Sequence, residues 1–379
     1  MILGYAYPWD FDGDPAAATR AAELGCDVVV IAATYHASRT VSPLHPTRRM
    51  VEVPVSAAYV PLRPEAWRGR RLVPSRPVAP GGDAVFGEAQ RALAAAGLDT
   101  AAWIVVTHHD ELGLANPDLV VRNAYGDPYS YALCPSSPEV REYAVTLVTE
   151  VVAASGVDRV VLEACGPMGI AHSGVHDKVE FAAYGEVAID LLSICFCSSC
   201  ASQFTARGLD AEELARRIRT HVDTAQSLDD ALGADVARVV RDLRAEIAAE
   251  LQLAVLDALA PSVAVTIHGS LTPGATGSFP EVGAGVLDRV SAVVANAWRE
   301  ASAPGEIAAL ARAVGANTHL GAYVRLDRGW DDEAIETRVA QYAGAGVDEW
   351  HLYHLGLLAP GGLATARRFI EVARERGAS

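Results

Sequence analysis

The chain has a deficit of positive charge. Its 379 residues carry 31 Lys and Arg against 47 Asp and Glu, which gives a formal net charge of −16 at pH 7. Nucleic acids and anionic membrane surfaces are bound by basic patches. We therefore expect no nucleic-acid partner and no membrane partner. The acidic balance suits an enzyme that acts on a neutral or cationic small molecule.

Other features are also missing. No apolar run is long enough to span a membrane, and the first residues lack the basic segment that opens a secretory signal peptide. The six cysteines do not follow the spacing of a secreted disulfide framework. These absences predict a cytoplasmic protein. Because 51% of the residues are apolar, we also expect a large ordered core.

Apolar runs alternate with Ala-rich stretches of helical periodicity along the whole chain, which is typical of a parallel sheet. The predicted strands are 2–7, 27–33, 101–107, 158–164, 262–268, 289–296, 318–325 and 347–354. Eight such strands predict an α/β fold, a (β/α)8 TIM barrel that forms a single domain over residues 1–379. A doubly wound open sheet is the main alternative. It is disfavoured because no Gly-rich phosphate loop follows the first strand.

Two insertions interrupt the regular spacing. Residues 36–82 are rich in Pro, Arg and aromatic residues and have no helical period. Long loops of this kind in compact domains are usually functional, so we predict a flap over the mouth of the barrel after strand two. Residues 166–260 form the second insertion, between strands four and five, and their periodicity predicts mainly helices.

Glu163 is the most informative single residue. It ends a short apolar run at 158–165, and Gly166-Pro167 then breaks the pattern. An acid at the carboxyl end of a barrel strand lies where such barrels keep their catalytic groups. The structural alternative is an ion pair with an arginine, for which Arg325 is the obvious partner.

Polar residues follow most of the predicted strands at the same end. They are Asp10, His36, His108, His109, Asp110, Glu163, His268, Trp298, Arg325, Asp327, His351 and His354. Polar groups are costly to bury unless they serve a site. Tryptophan stacks on sugar rings, and two carboxyl groups carry out glycosidic cleavage, so the set indicates a small carbohydrate substrate.

The predicted mechanism uses Glu163 as the general acid, with a pKa raised by partial burial. Asp327 or Asp110 serves as nucleophile or base. The remaining strand-end residues are predicted to hold the sugar, together with Arg39, Asn123, His172 and His176. Neighbours on a strand point to opposite faces, so His108 and His109 cannot both face the site.

Three cysteines, Cys195, Cys197 and Cys200, form a C-x-C-x2-C pattern that is typical of a zinc knuckle or a redox pair. A closed zinc site needs a fourth ligand, for which Cys134, Cys165 and the His172/His176 pair are candidates. Buried thiols without a metal are the favoured interpretation, and a zinc ion at this position would be structural. We expect no cofactor.

Several segments also resemble a known group of proteins. They are Tyr35-His36 with Arg39, Pro43 and Arg48-Arg49; 121–128; 133–139; 161–163; and 192–197 with Cys200. Their order resembles uncharacterised bacterial (β/α)8-barrel proteins classed as hypothetical glycoside hydrolases, over most of residues 1–200. The resemblance implies a barrel, a carbohydrate substrate and a catalytic role for Glu163. It does not indicate which sugar is bound.

Two other functions remain open at this point. A metal-dependent hydrolase or lyase would use the histidines of strands two, three, five and eight with an aspartate, although the H-x-H that follows strand one in such barrels is missing. A non-catalytic sugar-binding barrel would use the same residues without turnover. The sequence leaves open a homo-oligomer.

Overall fold

The structure is a computed structural model, and it describes residues 1–78, 80–172, 177–298, 301–326 and 329–377. Eight parallel strands form its centre. They are Ile2–Ala6, Val28–Tyr35, Asp99–Val105, Arg159–Glu163, Ala264–His268, Ala292–Asn296, His319–Arg325 and Glu349–Tyr353, and we number them strands one to eight. Each pairs with the next, and strand one also pairs with strand eight. The predicted (β/α)8 barrel is confirmed.

Helices surround this closed sheet. Those that follow the strands are Ala17–Leu24, Val85–Ala95, Pro138–Ser155, Ala234–Ala258, Ala303–Ala313, Asp332–Gly344 and Pro360–Gly377. The strands are buried on both faces, as Val28–Tyr35 illustrates, because the helices cover the outside and side chains fill the inside. Residues 269–291, which are all described, contain no helix. An irregular loop therefore connects strands five and six.

The flap has more regular structure than its sequence predicts. Ser38–Val41 and Met50–Val53 form an antiparallel hairpin, and Ala57–Ala58 extends strand two as an antiparallel neighbour. A 3-10 helix at Pro64–Trp67 follows. These strands are short, and their pairing depends on contacts across the segment, which a helical period cannot reveal.

The second insertion is helical, as predicted. After the loop that follows strand four come Glu186–Leu192, Ser198–Ala206, Ala211–His221 and Leu228–Leu232. The long helix Ala234–Ala258 closes the insertion and serves as the barrel helix after strand four, with Leu243, Ile247 and Leu251 among its buried residues. None of the helices in the described residues has the length and apolar character needed to cross a membrane.

Candidate active site

Glu163 is the last residue of strand four and lies at the carboxyl-terminal end of the barrel. Its side chain is buried, and Trp103 on strand three donates its indole N–H to Oε2 at 2.8 Å. Ser278, whose carbonyl accepts the Ala164 backbone N–H at 3.3 Å, lowers the pKa of Glu163 through its side chain. Directly after Glu163, Ala164 adopts a left-handed conformation with φ of 51°. A non-glycine residue in this conformation is strained, and such strain clusters at functional sites.

The environment of Glu163 favours its protonated form. Burial raises the pKa of Glu163 to about 7, and the hydrogen bonds from Ser278 and Trp103 only partly oppose this effect. Within the described residues, no arginine or lysine forms an ion pair with it, and His268 lies beside it with Nδ1 at 3.8 Å from Oε2. The structure therefore does not support the alternative in which Glu163 pairs with Arg325.

Next to Glu163, a buried chain of polar groups crosses the barrel interior. Tyr5 Oη lies 2.8 Å from His268 Nε2 and 2.9 Å from His351 Nδ1. His351 Nε2 in turn lies 3.3 Å from Glu349 Oε2. His351 occupies the middle of strand eight rather than its end. His351 therefore lies inside the barrel, whereas His268 ends strand five directly beside Glu163.

Aromatic rings pack beside Glu163 and form what we call the aromatic floor: Tyr7, Tyr35, Trp103 and His354. Tyr7 stacks on His354 with ring centres 3.8 Å apart, and Tyr35 packs edge-to-face on Trp103 at 4.9 Å. Tyr7 donates its hydroxyl proton to Tyr35 Oη at 3.2 Å. These contacts exclude water from one side of the acid.

Three histidines lie together on one side of the barrel mouth, and we call them the histidine wall: His36, His108 and His172. His36 stacks on His108 at 4.3 Å, and His172 packs edge-to-face on His108 at the same distance. Burial lowers the pKa of all three, to about 4 for His172. The rings are therefore neutral at pH 7 and can donate and accept hydrogen bonds. His176 lies outside the described residues.

The opposite side of the mouth carries Trp298 and Arg325. Trp298 stacks on Tyr323 with ring centres 5.5 Å apart, and the Arg325 guanidinium lies 5.1 Å from the Trp298 ring centre. Both side chains are partly exposed. The Trp298 indole N–H is buried and has no hydrogen-bond partner among the described residues.

Of the two candidate second carboxylates, Asp327 lies outside the described residues. Asp110 begins the short helix Asp110–Ala115 in the loop after strand three. Its Oδ2 lies 3.8 Å from His108 Nε2, and its side chain is 36% exposed. Burial raises the pKa of Asp110 above its usual value, and the Asp110 backbone N–H donates to Ser56 Oγ at 3.4 Å. Asp110 thus adjoins the histidine wall and remains accessible.

Asp10 faces a different cavity from Glu163. Its Oδ2 accepts a hydrogen bond from the Tyr7 backbone N–H at 2.9 Å, and the side chain abuts Gly356. The cavity is also lined by Arg20 and His45 and lies between the first barrel helix and the flap. Burial raises the pKa of Asp10 to about 7. This placement does not support the predicted contact between Asp10 and the sugar.

Three more predicted ligands also lie away from Glu163. Arg39 pairs with Glu52 on the exposed hairpin at 3.0 Å. His109 points out of the barrel, where its Nδ1 accepts the Leu112 backbone N–H. Asn123 is buried in a turn, with its Oδ1 accepting from the backbone of residues 125 and 127. Each has a structural role, and of the two adjacent histidines only His108 faces the site.

The sequence interpretation missed Trp103 and Ser278. Trp103 lies inside an apolar run that is typical of a strand. A buried indole N–H requires a hydrogen-bond acceptor, and this requirement was the one feature of the sequence that could have indicated a polar partner for Trp103. Ser278 comes from the irregular loop between strands five and six, and nothing in its sequence marks it as a contact of strand four. The same loop supplies Phe279, which stacks on His268 at 4.7 Å.

A second cluster of ligand-type residues lies in the insertion. Cys134, Cys195, Cys197 and Cys200 bring their sulfur atoms within 4.8 Å of one another. Among the described residues, no other set of three or more His, Cys, Asp or Glu side chains gathers in this way. The histidine wall therefore lacks the geometry of a ready-made metal site in the described part of the chain.

Neither the protein-family models nor the curated proteins match this chain. Solved structures do. The glycoside hydrolase domain of PgaB (BpsB) from Bordetella bronchiseptica is similar with a TM-score of 0.59 and 13% identity, over 96% of this chain and 97% of that one. The catalytic domain of beta-amylase from Paenibacillus polymyxa gives a TM-score of 0.55 and 9% identity, over 99% and 98%.

A third similar structure is the alpha-L-fucosidase isoenzyme 2 from Paenibacillus thiaminolyticus, with a TM-score of 0.55 and 14% identity. The match covers 99% of this chain but 49% of the fucosidase, so the chain spans about half its length. At these identities the likeness shows a fold shared with glycoside hydrolases.

Proposed function

We propose that this protein hydrolyses the glycosidic bond of a small glycoside or glycoconjugate, with Glu163 as general acid. The observation that carries the proposal is the placement of a buried carboxyl group with a pKa of about 7 at the carboxyl end of strand four. A general acid must be protonated near the working pH to donate to the leaving oxygen. The fold shared with glycoside hydrolases supports the same reaction class.

The two sides of the mouth suit a neutral sugar. The neutral rings of His36, His108 and His172 exchange hydrogen bonds with hydroxyl groups, because each imidazole carries one donor and one acceptor. Trp298 supplies an apolar face for the pyranose ring. Arg325 beside it donates hydrogen bonds to ring or hydroxyl oxygens.

The second carboxylate of the mechanism is Asp110 or Asp327, acting as nucleophile or as base for a water molecule. Asp110 adjoins the histidine wall, and Asp327 follows strand seven, across the barrel from strand four. A carboxyl separation of about 5 Å from Glu163 would favour retention of anomeric configuration, and about 6.5–9.5 Å would favour inversion.

Leaving-group dependence tests the role of Glu163. We would assay a panel of 4-nitrophenyl and 2,4-dinitrophenyl glycosides of hexoses, pentoses, deoxyhexoses and N-acetylhexosamines. Glu163→Gln is expected to reduce kcat/KM about 10²–10⁴-fold on the poorer leaving group. The loss should be much smaller on the dinitrophenyl substrate, which departs without a proton. Equal losses on both substrates, or none, would exclude Glu163 as the acid.

Glu150→Gln is the matched control, because Glu150 is a buried carboxylate outside the barrel, bonded to Arg63. Its replacement should leave kcat/KM unchanged on both substrates. Asp110→Asn and Asp327→Asn are compared in the same assay to identify the second group. Tight sugar binding without turnover would instead favour a non-catalytic barrel, and activity lost on chelation and restored by a metal would favour the metal-dependent alternative.

A further inference from the structure

Four cysteine sulfurs form a compact group at the base of the helical insertion. Cys134 Sγ lies 3.6 Å from Cys200 Sγ and 3.7 Å from the Sγ atoms of Cys195 and Cys197. Cys134, Cys197 and Cys200 are buried, and Cys195 is partly buried. Three of them come from the C-x-C-x2-C pattern, and Cys134 lies more than sixty positions earlier in the chain.

The fold brings two separate segments together at this group. Cys134 directly follows the short strand Pro128–Leu133 in the loop after strand three. The other three cysteines lie where helix Glu186–Leu192 ends and helix Ser198–Ala206 begins. The backbone N–H of Phe196 donates to the Arg122 carbonyl at 2.6 Å and joins the same two segments.

The sulfur separations match tetrahedral metal coordination. Four thiolates about 2.3 Å from a zinc ion lie about 3.8 Å from one another. A disulfide bond is about 2.05 Å long, so none of the pairs given above is bonded. A four-iron cluster requires wider spacing, because each of its thiolates binds a different iron atom.

Backbone amides point at one of the sulfurs. Cys195 Sγ accepts the Cys197 backbone N–H at 3.4 Å and the Arg122 backbone N–H at 3.5 Å. Four thiolates around a divalent cation carry excess negative charge, which such donors stabilise. Cys197 is also the residue that precedes the first turn of the nine-residue helix Ser198–Ala206, where the helix dipole favours negative charge.

We propose that Cys134, Cys195, Cys197 and Cys200 bind one Zn²⁺ ion in a closed structural site. Four protein ligands leave no position for water or substrate. The ion would fasten the insertion to the loop after strand three. Cys165 is not among the ligands, although it was a candidate from the sequence.

The site supports one side of the barrel mouth through its neighbours. Ser193, two residues before Cys195, accepts the Ile170 backbone N–H on its Oγ at 3.1 Å. Ile170 lies two residues before His172 of the histidine wall. Tyr129 donates its hydroxyl proton to the Leu192 carbonyl at 2.7 Å. The zinc site thus anchors the segment against which the His172 loop packs, and it takes no part in the chemistry.

Metal analysis of the purified full-length protein tests the proposal. We expect one zinc per chain, released stoichiometrically by a mercurial reagent. After replacement by Co²⁺, the protein should show the thiolate charge-transfer band and intense visible bands of tetrahedral cobalt. Cys197→Ser should lower the zinc content severalfold, while Cys165→Ser, which alters a buried cysteine outside the group, should keep one zinc.

Three results would overturn the assignment: disulfide bonds among these cysteines in metal-free native protein, iron instead of zinc, or equal zinc loss in the Cys165→Ser control. If Cys197→Ser does not fold, the cobalt spectrum of the wild-type protein still decides. Hydrogen exchange of the chelated protein should accelerate first in 120–134 and 186–206, and uniform acceleration over the barrel would argue against a local anchor.

Discussion

Trp103 and Glu163 face each other across neighbouring strands, and the indole N–H of Trp103 donates to the carboxylate at 2.8 Å. In the parallel register Trp103 pairs with Val161 and Val105 pairs with Glu163, so both side chains point into the barrel. The only polar group of this tryptophan is therefore directed at the proposed acid. Burial still raises the pKa of Glu163 to about 7 despite this bond.

Removing the indole N–H of Trp103 should shift the alkaline limb of the pH profile of catalysis to higher pH. The Trp103 hydrogen bond lowers the pKa of Glu163, because it stabilises the charged form. Trp103→Phe should raise that pKa and shift the alkaline limb of the kcat/KM profile to higher pH. Trp67→Phe is the control, since Trp67 packs on Tyr143 outside the barrel. If the alkaline limb of the kcat/KM profile does not move in Trp103→Phe, the Trp103 hydrogen bond does not control the pKa of the catalytic acid.

The buried acid should destabilise the protein at neutral and alkaline pH. The pKa of Glu163 rises from 4.5 to about 7 on folding, so the native state holds a proton that the unfolded chain loses. The contribution of this pKa difference to the free energy of unfolding is fully present below pH 4.5. It is lost as the pH rises to about 7, a change of about 3 kcal/mol.

Glu163→Gln should therefore raise the free energy of unfolding at pH 8 and have little effect near pH 4, as measured by urea titration. Glu150→Gln should have the opposite effect at pH 8. The hydrogen bond from Arg63 lowers the pKa of Glu150, so that ionised group stabilises the fold. Destabilisation by Glu163→Gln at pH 8 would show that its burial has a different cause.

The barrel and the position of Glu163 could be predicted because both depend on local pattern. A parallel strand buried on two faces appears as an apolar run, and its carboxyl end is set by the topology. His351 is a residue for which the apolar run predicts the end of the strand incorrectly. The predicted strand 347–354 is a little longer than the observed Glu349–Tyr353, and the difference turns an apparent strand-end residue into one inside the barrel.

Contacts between distant segments could not be predicted in the same way. Cys134 was one of several possible partners for the C-x-C-x2-C pattern, and only the fold selects it. Ser278 reaches Glu163 because the chain forms a loop where a helix usually lies between strands five and six. The hairpin of Ser38–Val41 and Met50–Val53 likewise depends on pairing across the flap, which periodicity does not report.

Trp298 should contribute to sugar binding more than to the chemical step. Its ring is partly exposed, and its N–H has no partner within the described residues. Trp298→Ala should raise KM about 3- to 10-fold on the best aryl glycoside, with a small change in kcat. Trp298→Phe should recover part of the affinity, because it restores an apolar ring. A loss confined to kcat would place Trp298 in a different role.

His109 should weaken the protein in acid. Burial lowers its pKa from 6.5 to about 3, so the unfolded chain binds a proton at pH values where the native state does not. The contribution of this pKa difference to the free energy of unfolding is fully present above pH 6.5. It declines as the pH falls toward about 3, by up to about 1.4 kcal/mol per pH unit. His109→Asn removes the titration and keeps an acceptor for the Leu112 N–H at the helix start.

Urea titrations between pH 4 and pH 8 would measure this effect. His109→Asn should match the wild-type free energy of unfolding near pH 8 and exceed it increasingly below pH 6. His319→Asn serves as the control. His319 is exposed, is bonded to Asp348, and lies at the amino-terminal end of strand seven, at the opposite end of the barrel from Glu163. A wild-type pH slope in His109→Asn would mean that His109 is protonated in the native state. His109 would then not be a neutral, buried N-cap of the helix Asp110–Ala115.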